Sequence, residues 1–113
     1  MHEMALCEGI VEIIENEARK GAFAKVKTVW LEIGALSHVA PEALHFCFEA
    51  VTANTIAKGA ALEIIEQKGS AWCLACSRSV EIAQRYQPCP ACGSHQLQVT
   101  GGEDMRVKEL EVE

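Results

Sequence analysis

Apolar residues recur at helical spacing at the start of the chain. Leu6, Ile10, Ile13 and Ile14 are interleaved with Glu8, Glu12, Glu15, Arg19 and Lys20. That period predicts an amphipathic helix over roughly residues 4 to 20, with Gly21 as its stop. The period then shortens. Val29, Leu31 and Ile33 fall on one side of an alternating run, so Val26 to Ile33 is expected to be a strand that Gly34 ends. Pro41 suits the first position of a second helix, in which Leu44, Cys47, Phe48 and Val51 follow the i, i+3, i+4, i+7 rule. Asn54 and Gly59 bracket the exit of that helix, and Leu62 and Ile64 mark a strand ending near Glu66.

Strand, helix, strand in this order is a compact unit, but two strands make a marginal sheet. A third is available from Met105 to Val112. Its alternation slips, since Met105 and Val107 share one parity and Leu110 and Val112 the other. A bulge at Lys108-Glu109 would reconcile them. Residues 70–101 then read as an insertion, entered near Gly69-Ser70 and left near Gly101-Gly102. The expected fold is α+β: a small three-stranded mixed sheet with two helices, plus an inserted zinc-ribbon module. Residues 1–69 with 102–113 form the first domain and 70–101 the second.

The insertion carries the clearest chemistry. Cys73-Leu74-Ala75-Cys76 and Cys89-Pro90-Ala91-Cys92 are two CxxC pairs with twelve residues between them. Each pair makes a tight turn that points two sulfurs at one centre, and together they supply the tetrahedral thiolate set that suits zinc. Gly93 lets the backbone turn beneath the metal. Val80 and Ile82, then Leu97 and Val99, offer short strands behind the turns. Four thiolates leave no open position for water or substrate, so such a zinc is structural. Cys7 and Cys47 stand on apolar helix faces and read as core thiols.

Composition narrows the function classes. The 113 residues suggest one small domain with a module attached, and half of them are hydrophobic. Ten basic against sixteen acidic side chains give a net charge of -6, and the basic ones are scattered. No electrostatic footprint for nucleic acid results. The start of the chain lacks a basic stretch followed by an apolar run, and no segment has the length of a membrane span. A cytoplasmic protein with no membrane partner is expected. Six cysteines in such a chain read as ligands or buried thiols before disulfides. No nucleophile–base pair or paired-carboxylate motif marks an enzyme.

A second candidate site lies at the N-terminus. The amine of Met1, the backbone nitrogen of His2 and the His2 imidazole can close two fused chelate rings. Nickel(II) and copper(II) favour such square-planar nitrogen sites, whereas zinc and magnesium do not. An α-amino pKa of about 7.7–8.0 lets the amine deprotonate at small cost. Glu3 offers a carboxylate to the metal or to the N-terminus of the first helix. His38 and His95 are loop histidines able to add a nitrogen, although an exposed or hydrogen-bonded role is the simpler reading for each. His45, beside the apolar face of the second helix, reads as structural.

Several stretches, taken in order, resemble the HypA/HybF hydrogenase-maturation proteins. They are Met1-His2-Glu3-Met4-Ala5-Leu6, Val29-Trp30-Leu31-Glu32-Ile33-Gly34-Ala35-Leu36, Phe46-Cys47-Phe48-Glu49, the two CxxC pairs, and Val107-Lys108-Glu109-Leu110-Glu111-Val112. The resemblance implies a nickel metallochaperone. Its nickel site would have His2 as principal ligand and its zinc site would be Cys73, Cys76, Cys89 and Cys92. It implies work with the GTPase HypB to load nickel into the large subunit of [NiFe]-hydrogenase; some members also serve urease. Some members have histidines flanking the CxxC pairs, where this chain has only His95 close by.

Two other readings compete. A small rubredoxin-like iron electron carrier would share the Cys89-Pro90-Ala91-Cys92-Gly93 turn, because four thiolates also bind iron. It would leave over half the chain without a purpose, and visible colour would distinguish it. A nucleic-acid-binding zinc ribbon would require the basic stripe that this acidic chain lacks.

Overall fold

The computed structural model describes residues 3–113. The elements are α1 (Glu3–Gly21), β1 (Val26–Gly34), α2 (Pro41–Thr52), β2 (Ala61–Gln67), β3 (Gly69–Cys73), β4 (Arg78–Ile82), β5 (Leu97–Gly101) and β6 (Met105–Val112). They build two three-stranded sheets, one ordered β2-β1-β6 and the other β4-β3-β5. The chain divides into two compact units. One comprises the chain up to Leu31 with Val39–Ile64 and Val107–Glu113; the other comprises Glu32–His38 with Ile65–Arg106.

In the first unit α1 packs on α2. The side chains that α1 buries are Cys7, Ile10 and Ile14, at i, i+3 and i+7. Ile13, expected on the inner face, is 45% exposed. At 100° per residue it lies too far round the helix, and Cys7 takes the place the sequence pattern gave it. α2 begins at Pro41 as expected and buries Leu44, Phe48 and Thr52, the Thr52 hydroxyl donating to the Phe48 carbonyl at 2.7 Å. Val26, Val29 and Leu31 of β1 are fully buried. Its neighbour β6 runs unbroken, with half-buried Met105, Val107 and Leu110. The parity of burial changes across the exposed pair Lys108-Glu109, where the sequence alternation slips.

The second unit is organised by β3, the element the hydrophobic pattern did not show. β3 is the central strand of its sheet, antiparallel to both β4 and β5. Ala71 pairs with Val80 on one side and Val99 on the other; Cys73 pairs with Arg78 and Leu97. Leu36, Ala71 and Ile82 are buried together, with Val80, Leu97 and Val99 packed against them. The strand's inward residues are small because Leu36 and Ile82 fill the space above them. Gly69, Ala71 and Cys73 therefore show no run of large apolar side chains, and Trp72 alone favours a strand.

The chain passes closely where β1 ends. The Gly34 N–H donates to the Asp104 carbonyl at 2.8 Å and the Leu36 N–H donates to the Gly102 carbonyl at 2.8 Å. A β-carbon on Gly34 would land on the Gly102 carbonyl group. Backbone cannot rotate aside as a side chain can, so Gly34→Ala is expected to destabilise by about 3 kcal/mol through overpacking. A denaturant midpoint equal to that of the parent protein would contradict this close approach.

Candidate metal centre

The metal centre is assembled at the end of the β4-β3-β5 sheet. Cys73 is the last residue of β3, and Cys76 closes the turn into β4. The second pair, Cys89 and Cys92, precedes β5. Both turns have the same local design. The Cys76 N–H donates to Cys73 Sγ at 3.4 Å, and the Ala91 N–H donates to Cys89 Sγ at 3.4 Å. The Ser77 N–H donates to the Cys73 carbonyl at 2.9 Å, and the Gly93 N–H donates to the Cys89 carbonyl at 2.8 Å. The residue after each pair is left-handed: Ser77 at φ 52° and Gly93 at φ 78°. Gly93 adopts this conformation freely, whereas Ser77 does so against the steric preference of its β-carbon. The Leu74 N–H donates to the Gln96 carbonyl at 2.9 Å, which ties the first turn to the approach of β5.

The four sulfurs lie within 4.8 Å of one another. Cys73 and Cys92 Sγ are 3.6 Å apart, and Cys76 and Cys89 Sγ are 3.8 Å apart. A tetrahedral ion at a metal–sulfur distance of 2.3 Å requires sulfur–sulfur edges of about 3.8 Å. The cage thus fits one such ion. Cys73 and Cys89 are buried, Cys76 is half-buried and Cys92 exposed. The Cys76 N–H holds Cys73 down at about 7, below an ordinary thiol. Burial, with the sulfurs of Cys73, Cys92 and Cys89, pushes Cys76 up to about 12. Burial alone would raise Cys89, but the backbone N–H groups of Cys92 and Ala91 outweigh it and bring it below its usual value. Backbone N–H groups thus favour the thiolate at Cys73 and Cys89, and a bound cation favours it at all four.

The other expected residues fall elsewhere. Among the described residues the four cysteines are the sole cluster of three or more metal-ligating side chains, and no histidine joins it. His38, at φ 60°, is exposed, as are His45 and His95. The exposure of His45 departs from the structural place expected for it. Cys7 is buried, and its thiol donates to the Leu44 carbonyl at 3.5 Å. Burial, then the nearby Cys47 and Glu3, raises it to about 11, as befits an inert core thiol. Met1 and His2 lie outside the described residues. Glu3 opens α1, and its Oε2 accepts the Ala40 N–H at 3.4 Å. The sequence reading missed Glu32, which accepts from Arg106 Nε at 3.0 Å and from Gln67 Nε2 at 2.6 Å. Its strand position between Leu31 and Ile33 gave no sign of those partners. No described helix is long and apolar enough to cross a membrane.

Two helices, two three-stranded sheets and a zinc-ribbon cluster of four cysteines define a small α+β protein with a metal-binding module. The family profile described as "Hydrogenase/urease nickel incorporation, metallochaperone, hypA" matches residues 1–112. The chain belongs to the HypA family, whose members are maturation factors and not enzymes. It is 88% identical over 113 residues to hydrogenase maturation factor HypA of Bradyrhizobium sp. (strain ORS 278), covering 100% of both chains. It is 76% identical, again over 100% of both, to hydrogenase maturation factor HypA 2 of Bradyrhizobium diazoefficiens. The solution structure of the Ni metallochaperone HypA from Helicobacter pylori superposes with a TM-score of 0.73 at 28% identity, covering 99% of this chain and 97% of that one.

Proposed function

We propose that this protein binds Ni(II) at its N-terminus and delivers it for assembly of the [NiFe]-hydrogenase large subunit. The observation that carries the proposal is the family match from residue 1 to residue 112, which takes in the Met1-His2-Glu3 start and all four cysteines. The Met1 amine, the His2 amide and the His2 imidazole form the nickel chelate, with Glu3 next to them. Residues 1–69 with 102–113 handle nickel, and residues 70–101 hold Zn(II) on Cys73, Cys76, Cys89 and Cys92. The two sites differ as their tasks require. Cargo must leave, so it is held by a terminal chelate open to exchange. The zinc remains, so it is enclosed by four thiolates.

The protein acts in the cytoplasm. Its sequence has no GxxxxGK[ST] loop, so a partner must supply any nucleotide-driven step. The GTPase HypB is that partner, and α1 is the surface it approaches, because transfer brings two metal sites together. Titration of purified HypB into the nickel-loaded protein, with and without GTP, is expected to give saturable association. No association under any of these conditions would contradict the partnership. Iron in place of zinc, visible as colour, would favour the electron-carrier reading instead.

A further inference from the structure

Among the described residues, four that are not glycine have left-handed backbone: Ala22, His38, Ser77 and Tyr86. A β-carbon disfavours that conformation, so each position calls for a reason. Ala22 closes the end of α1, its N–H donating to the Ala18 carbonyl at 2.9 Å, and Ser77 closes the first CxxC turn. His38, at φ 60°, and Tyr86, at φ 66°, are far apart in sequence, yet both line one cavity of about 290 Å³. Leu36 and Ala83 give that cavity apolar lining, and Arg85 gives it a charge.

No carboxylate lines this cavity. In a chain with sixteen acidic residues that is unusual. Four other cavities are each lined by at least one, including Glu32, Glu15, Glu66 and Glu49 in turn. The loop that carries Arg85 and Tyr86 is also held in shape. The Ala83 and Gln84 N–H groups donate to Gln87 Oε1 at 2.8 Å and 3.1 Å. Arg85 Nη2 donates to Glu103 Oε2 at 2.6 Å. That pair fixes the guanidinium, whose five N–H donors exceed what one carboxylate oxygen accepts. Tyr86 is 94% exposed, so core packing does not account for its strained backbone.

We propose that this cavity is a docking site for an acidic segment of a protein partner. A carboxylate side chain of the partner enters and meets Arg85 and His38, while the apolar residues beside it lie against the Tyr86 ring. Charge selects the anion, because no acid of this chain lines the cavity to repel it. The volume, at the small end for ligand sites, suits a single side chain. An exposed tyrosine beside an arginine is the pairing that concentrates energy at protein interfaces. A free small acid would leave that ring uncovered, whereas a peptide covers it.

The test is backbone amide NMR of the zinc-loaded full chain, titrated with the peptide acetyl-Gly-Leu-Glu-Leu-Gly-amide. Saturable shifts at Leu36, His38 and residues 83–86 are expected, and none from the same peptide with lysine in place of glutamate. Arg85→Gln should weaken binding about 10-fold through loss of a charge-assisted pair. Glu103→Gln keeps the guanidinium and removes its competitor, so it should bind at least as tightly as the parent. Tyr86→Gly should weaken binding about 3-fold with a Tm at or above the parent's, because glycine takes this backbone conformation freely.

Shifts from the lysine peptide, shifts confined to other surfaces, or no shift at all would overturn the proposal. So would equal weakening by Arg85→Gln and Glu103→Gln, which would make the ion pair a structural brace. Glutarate binding as tightly as the glutamate peptide would assign the cavity to a free dicarboxylate and overturn the protein partner. Parent-like peptide binding with a lowered Tm in Tyr86→Gly would overturn the docking role of the ring.

Discussion

Replacing Cys73 by serine is expected to strip the metal from the chain and unfold the β4-β3-β5 sheet. Cys73 is both a corner of the thiolate cage and the last residue of the strand that pairs on both sides. A backbone N–H also favours its thiolate form, holding it at about 7. A serine hydroxyl is a far poorer ligand for a soft, tetrahedral ion. Structural zinc sites contribute about 10–16 kcal/mol of apparent binding free energy, all of it folding free energy. The apolar content of this unit is small, with Leu36, Ala71 and Ile82 as its buried cluster, and cannot make good such a loss. Elemental analysis should find one zinc per parent chain and none in Cys73→Ser, and the variant should lose the melting transition of the unit. Acid acts in the same direction, since every ligand thiolate that takes up a proton leaves the metal. One tightly held zinc in Cys73→Ser, with an unchanged melt, would refute a four-thiolate site.

Much of this molecule was legible because its periods are long and uniform. Seventeen or more residues of 3.6-residue period gave α1, and alternation gave β1 and β6. The CxxC spacing gave the cage, since short-range geometry alone brings each pair of sulfurs together. β3 was not legible. Its inward positions are Gly69, Ala71 and Cys73, whose burial comes from what packs over them and not from their own hydrophobicity. Ile13 was misplaced because four isoleucines and leucines in one turn pattern allow two overlapping stripes, and only contact with α2 selects between them. The tether of Glu3 to Ala40 joins residues 37 apart, and no local signal announces such a pairing. A helix whose N-cap position is alanine was the available clue, because it left an acceptor to be found elsewhere.

The second large effect concerns the cargo. His2→Ala is expected to abolish nickel binding and leave zinc in place. In the proposed terminal chelate the imidazole and the amide nitrogen of His2 close two fused rings, so loss of the imidazole would remove the donor that closes the second ring. The remaining amine and amide hold nickel far more weakly. The four cysteines share no residue with the proposed nickel site, and the nearest of them in sequence is Cys73. Acetylating the Met1 amine, or adding a residue before it, should weaken nickel binding for the same reason. A variant that binds nickel as the parent does would rule out the terminal chelate.

A chaperone raises the rate and selectivity of metal insertion without creating the target enzyme's own affinity for nickel. Cells lacking this protein should therefore accumulate nickel-free hydrogenase large subunit, and a large excess of nickel in the medium should restore part of the activity by mass action. An electron carrier or a nucleic-acid-binding ribbon would give no such rescue. The decisive measurement is hydrogenase activity at trace nickel in cells whose sole copy carries His2→Ala, with the mutant protein verified as folded and zinc-loaded. Activity as low as in the deletion strain, recovered in part by added nickel, is the expected result; full activity at trace nickel would contradict nickel delivery from the N-terminus.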